Sequence, residues 1–211
     1  MSSPAVRLPI GISDFRELRE GGFYYVDKTA LIDDVLREPA KVLLVPRPRR
    51  FGKTLNLSML RSFFDKCADD AGPLFEGLAI ASSAAAKAHF QRHPVIFLTF
   101  KDIKPTSWEE CQAGVANVLA RAFEDHRYLL SEGNLEADNA RLFTAILERR
   151  AAKSELVIAL ELLSRLLARH HRERVIILLD EYDSPIHAGY THRYCDDVIA
   201  FFRDFLSGGL K

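Results

Sequence analysis

An apolar run, Val42 to Val45, leads through Pro46 into Arg47-Pro48-Arg49-Arg50-Phe51-Gly52-Lys53-Thr54, and much later a second apolar run, Val175 to Leu179, ends in Asp180-Glu181. This pair of segments constrains the fold more than any other feature. A strand that passes through a loop into a Gly-Lys-Thr helix start brings backbone N–H groups, an ammonium and a hydroxyl to one point, as phosphates and their Mg²⁺ require. A buried strand ending in Asp-Glu supplies what the loop lacks: a carboxylate for the metal's water shell and a second one for the attacking water. Each segment also has a plain structural reading. Gly-Lys-Thr is a common helix start, and an apolar strand that ends in two acids can simply be meeting solvent. Their order, loop first and acidic strand later with helical spacing between, favours the joint reading as a nucleoside triphosphate site.

The chain has 211 residues, 48% of them hydrophobic, enough to bury a full core in one domain over 1–211 with 1–22 as a leader segment. Lys plus Arg equals Asp plus Glu at 29 each, so no overall basic field recruits nucleic acid. Cys67, Cys111 and Cys195 are far apart and form no CxxC pair, which points to reduced thiols and a cytoplasmic location. Met1 to Pro9 lacks an apolar signal-peptide core, and no apolar run is long enough to span a bilayer, so no membrane partner is expected.

Along the chain, Phe23 to Val26 reads as a strand and Lys28 to Arg37 as a helix stopped by Pro39. Lys41 to Val45 reads as a short buried strand, and Thr54 to Phe64 as a helix with Leu57, Leu60, Phe63 and Phe64 on one face. Residues 66–93 read as loops with one short helix, and Pro94 introduces a strand from Val95 to Phe100. Ser107-Trp108-Glu109-Glu110 is a capping-box pattern that starts a helix with Trp108, Cys111, Val115, Val118 and Ala122 on its core face. Helices follow over Asp138 to Ala152, Ser154 to His170 and Tyr194 to Leu206. Strands alternating with helices indicate an α/β, three-layer fold with a mostly parallel sheet, in which ligands sit beyond the carboxyl ends of the strands.

Leu8-Pro9-Ile10-Gly11, Tyr24-Tyr25-Val26-Asp27-Lys28-Thr29, Arg47 to Asn56, Leu74-Phe75-Glu76-Gly77-Leu78 and Leu179 to Ile186 resemble, in order, the blocks of the prokaryotic AAA-ATPase-like family of P-loop proteins. Members of that family often carry a PD-(D/E)XK nuclease-like domain after the ATPase part. The resemblance implies an ATP-binding module of the additional-strand, AAA-like type. It also implies a further strand carrying a polar sensor residue, so a chain ending at Lys211 is expected to be truncated before it. Two departures from the general phosphate-loop pattern stand out. Arg47 occupies the place of the first glycine, where a side chain makes a left-handed turn cost roughly 1–2 kcal/mol. Pro46 and Pro48 remove two N–H donors, which leaves the cradle to amides nearer the helix.

The site expected from these residues is as follows. Arg50, Phe51, Gly52, Lys53, Thr54 and Leu55 hold the nucleotide, and Lys53 also acts catalytically on the β- and γ-phosphates. Thr54 and Asp180 hold Mg²⁺, and Glu181 orients the attacking water. Asp183 either begins the turn at Pro185 or acts directly, and Arg47, Arg49 and Arg50 either grip phosphate or form a solvated basic turn. Asp27, Lys28 and Thr29 are left between adenine-side packing and helix capping. The cofactors are then ATP and Mg²⁺, and the function is ATP binding with slow hydrolysis. The alternative is a nucleotide-responsive regulatory module with little or no turnover. Nucleic acid enters as a partner by family analogy alone, and a homo-oligomer or a partner protein is left open.

Overall fold

A computed structural model describes residues 7–46, 51–131 and 135–209. It divides into two compact units, Met1–Val95 and Ile96–Lys211.

The described part of the first unit is helical. Asp14 caps α1 (Phe15–Glu20) by accepting from the Glu17 N–H at 2.9 Å, a local signal inside the leader segment. It is followed by α2 (Ala30–Arg37) and α3 (Lys53–Phe64). Where the spacing predicts one short helix in 66–93 there are three helical pieces: α4 (Gly72–Phe75), a 3₁₀ turn over Ala79–Ser82 and α5 (Ala84–Lys87). The face of α3 that enters the core carries Met59, Leu60, Phe63 and Phe64. There Phe63 and Phe15 both contact Phe75, with ring centroids 5.3 and 5.1 Å apart. Ser58 fixes α3 to α1, because its Oγ accepts the Phe15 N–H and donates to the Asp14 carboxylate, both at 2.9 Å.

Two of the expected strands are not formed in this unit. Phe23 to Val26 alternates in burial, with Tyr24 and Val26 exposed, but it joins no ladder among the described residues: its Phe23 N–H donates to the Leu18 carbonyl at 3.2 Å and its Tyr24 N–H to the Arg7 carbonyl at 2.8 Å. Val42 to Val45 was expected to be buried and is exposed, at 54%, 41%, 68% and 48%. A strand exists only where a ladder satisfies its N–H and C=O groups, and among the described residues Val42 to Val45 meet no such partner.

Asp27 and Thr29 tie the start of α2 to the 3₁₀ turn. The Asp27 carboxylate accepts from the Thr29 N–H (2.8 Å), the Thr29 hydroxyl (2.7 Å) and the Ala79 N–H (2.7 Å). The Thr29 hydroxyl oxygen accepts from the Ile80 N–H at 3.2 Å, and Thr29 is fully buried. For these two residues the structure shows a tie between the start of α2 and the 3₁₀ turn, and the Thr29 side chain makes no capping bond to α2. Partial desolvation pushes the Asp27 carboxyl up, but the bonds from Ala79 and Thr29 together outweigh it and hold the group below its ordinary value of 3.8. A lowered folded-state pKa means the carboxylate's contribution is complete above the unfolded value and is lost as pH falls through the folded one. Thr29→Ala is expected to cost about 1–3 kcal/mol in urea unfolding at pH 7, with Thr29→Ser close to wild type. The stability gap between wild type and Asp27→Asn should close below about pH 4, where the wild-type carboxylate also becomes protonated.

The second unit holds the sheet. β1 (Val95–Thr99) begins at the boundary between the units and pairs in parallel with β2 (Ile176–Asp180). Around them lie α6 (Trp108–Asp125), α7 (Tyr128–Ser131), α8 (Ala137–Leu147), α9 (Lys153–Val157), α10 (Ala159–His171), α11 (Ser184–His192) and α12 (Cys195–Gly209). Ile96, Leu98, Val115, Phe123, Phe143 and Leu167 are among the buried residues of the continuous core. Ser107 caps α6 as expected, accepting from the Glu110 N–H at 3.2 Å. Glu110, however, reaches one residue further back than the pattern predicts, to the N–H and hydroxyl of Thr106. Trp108 packs on Phe201, with the Lys153 ammonium 4.9 Å from its ring centre.

The helix expected over Asp138 to Ala152 stops at Leu147, because Arg149 turns into the left-handed region at φ 57°. The helix expected over Ser154 to His170 is divided at Ile158 into α9 and α10. Residues after Pro185 are not a turn but α11, which places Ser184-Pro185 in its first turn. There a missing N–H costs nothing and proline's fixed φ suits the helix.

Candidate functional site

The residues expected to bind phosphate lie in the first unit. Gly52 sits in the left-handed region at φ 71° and is the N-terminal boundary of α3, which then begins with Lys53 and Thr54. Gly52 offers no side-chain cap, and the positive end of the helix dipole lies at Lys53 and Thr54. A Cβ at Gly52 would meet nothing within 4 Å, so the turn faces open space. The Lys53 ammonium makes no hydrogen bond or ion pair among the described residues, and Phe51 is 60% exposed. Thr54 and Leu55 follow in the first turn, both half-buried. Arg50, with Arg47 and Arg49, lies outside the described residues.

The acidic residues lie in the second unit, at the carboxyl end of β2. Asp180 is 2% exposed, and its carbonyl accepts the Phe100 N–H at 3.0 Å, which fixes the strand end against β1. Glu181 leaves the strand with φ 51°. A non-glycine residue in that region costs roughly 1–2 kcal/mol, and such strain persists only where the surroundings impose it. Here the Ser184 N–H donates to the Glu181 carbonyl at 3.0 Å, and the Ser184 hydroxyl approaches the Glu181 carboxylate at 3.4 Å. The strand is thus turned abruptly into α11, with a half-buried carboxylate at the corner. Asp183 stands at the N-terminal boundary of α11, where its side chain makes no capping bond and lies 3.5 Å from His187.

Beside the carboxyl end of β1 lies a cleft of about 260 Å³, lined by Thr99, Ile103, Lys104, Asn117 and Arg121 among others. Gly114 allows its loop to lie close to α6, since a Cβ there would stand 3.2 Å from Ile103. Among the described residues no three His, Cys, Asp or Glu side chains gather into a metal cage.

Comparison with known proteins decides the family, because the match covers residues 9–211. The chain belongs to the AAA-ATPase-like family, described as predicted AAA-ATPases. Among curated proteins it is similar to the "Uncharacterized protein in vnfD 5'region" of Azotobacter chroococcum mcd 1, 31% identical over 183 residues. That alignment covers 85% of this chain and 30% of the relative, so the chain spans less than a third of the relative's length. No solved structure matches. No described helix is long and apolar enough to cross a membrane.

Proposed function

We propose that the chain binds MgATP and hydrolyses it slowly. The observation that carries this reading is the Lys53 ammonium, which has no hydrogen bond or ion pair among the described residues, directly after left-handed Gly52, which faces open space at the start of α3. An anion with several oxygens suits that ammonium and the positive end of the helix dipole together. Residues Arg50 to Leu55 wrap the β- and γ-phosphates, and Thr54 and Asp180 hold the Mg²⁺ that neutralises their charge. Glu181 orients a water whose oxygen attacks the γ-phosphorus. The bond to the bridging oxygen breaks, ADP leaves, and Glu181 accepts the water's proton.

This reading requires the two acidic residues and the start of α3 to share one ligand, on a three-layer sheet of the additional-strand type. The test is calorimetric titration with ATP, with and without Mg²⁺, together with phosphate release. Tight binding and measurable release, both dependent on Mg²⁺, support an ATPase. Binding without release favours the nucleotide-responsive module, and no binding of either form refutes the proposal.

A further inference from the structure

Asp27-Lys28-Thr29 leaves one side chain that the fold does not use. Asp27 and Thr29 are spent on the tie to the 3₁₀ turn. The Tyr25 hydroxyl donates to the Met59 sulfur at 3.3 Å and accepts the Lys28 N–H at 3.3 Å. The main chain at Lys28 is thus pinned on one side to α3 and on the other to the 3₁₀ turn. The Lys28 side chain is exposed, and its ammonium has no hydrogen bond or ion pair among the described residues. The arginines of the leader differ. Arg7 bonds the Gly21 carbonyl, Arg16 pairs with Glu20, and Arg19 holds the Leu74 and Glu76 carbonyls.

A rigidly mounted, unpartnered cation is well suited to meet an anionic ligand, because little backbone freedom is lost when it binds. Its mount is linked to α3, the helix that the candidate phosphate turn starts. Met59 lies six positions after Lys53 on α3, about 9 Å along the helix axis, and Lys28 is one hydrogen-bonded hydroxyl away from Met59. A flexible four-carbon stem then carries the ammonium outward.

We infer that Lys28 is a second phosphate-binding cation, contacting the polyphosphate that Lys53 and the start of α3 hold. This rests on the MgATP reading above. The experiment is titration of the full chain and of its Lys28→Met and Lys28→Arg variants with MgATP and, separately, with magnesium tripolyphosphate. A charge-assisted contact predicts that Lys28→Met weakens both ligands by roughly 10-fold, that Lys28→Arg recovers most of the loss, and that Tm is unchanged. Wild-type affinity in Lys28→Met overturns the inference. So does a loss confined to MgATP, which would put Lys28 at the nucleoside, or a loss accompanied by a fall in Tm, which would make its role structural. In each of those results the wild-type chain still binds, so the MgATP reading stands. A wild-type chain that binds neither ligand removes both.

Discussion

Glu181→Gln is expected to retain MgATP and to lose roughly 10²–10⁴-fold in the rate of phosphate release, the usual contribution of a positioned general base. The amide has the shape of the carboxylate and can still accept from Ser184, but it cannot take a proton from water. Binding and turnover measured on the same preparation separate this outcome from unfolding. Release at the parent rate would remove Glu181 from the chemistry. The backbone supplies a second reading of the same position. Because Glu181 stands at φ 51°, Glu181→Gly should relieve strain and raise Tm while hydrolysis is lost. Stability exchanged for function at one residue is what a site imposed on the fold predicts.

Lys53→Ala should weaken MgATP binding by about 10- to 150-fold, which corresponds to the roughly 1.5–3 kcal/mol of a hydrogen bond to a charged group. Lys53 has no partner among the described residues, so its removal leaves no protein group newly unpaired. Alanine also has the higher helix propensity. The expected change in stability is therefore small, and a loss of affinity belongs to the ligand rather than to the fold. Unchanged affinity in calorimetry would refute the assignment.

The elements best read from sequence are those whose local signal coincides with their packing. α3 begins one residue before its expected start, and α6 carries its Ser107 cap and its buried Cys111, Val115 and Val118 face. β1 and β2 were legible as apolar runs because each has the other as its ladder partner. Val42 to Val45 is a similar apolar run with no such partner among the described residues, and composition alone cannot supply one. α1 and α11 had signals that could have been used: Asp14 three residues before Glu17, and a proline in the first turn after Asp183. The Asp27–Thr29 tie was beyond reach, because its partners Ala79 and Ile80 are distant in sequence and contribute only backbone N–H groups, which no residue type reveals. At the candidate phosphate turn the structure adds a backbone detail: Gly52 takes the left-handed conformation directly before α3, where glycine is favoured. The strained backbone of Glu181 was not legible, because nothing in Asp-Glu-Tyr-Asp-Ser-Pro requires a positive φ.

The central claim is that the start of α3 and the end of β2 serve one nucleotide. A crystal structure of the full chain with Mg²⁺ and a slowly hydrolysed ATP analogue tests it most directly. The prediction is one Mg²⁺ ion about 2.1 Å from the Thr54 hydroxyl, with Asp180 bound to it directly or through one of its waters and Glu181 facing the γ-phosphate. A polyphosphate seated on Gly52 to Thr54 with Asp180 beyond the metal's water shell would contradict it.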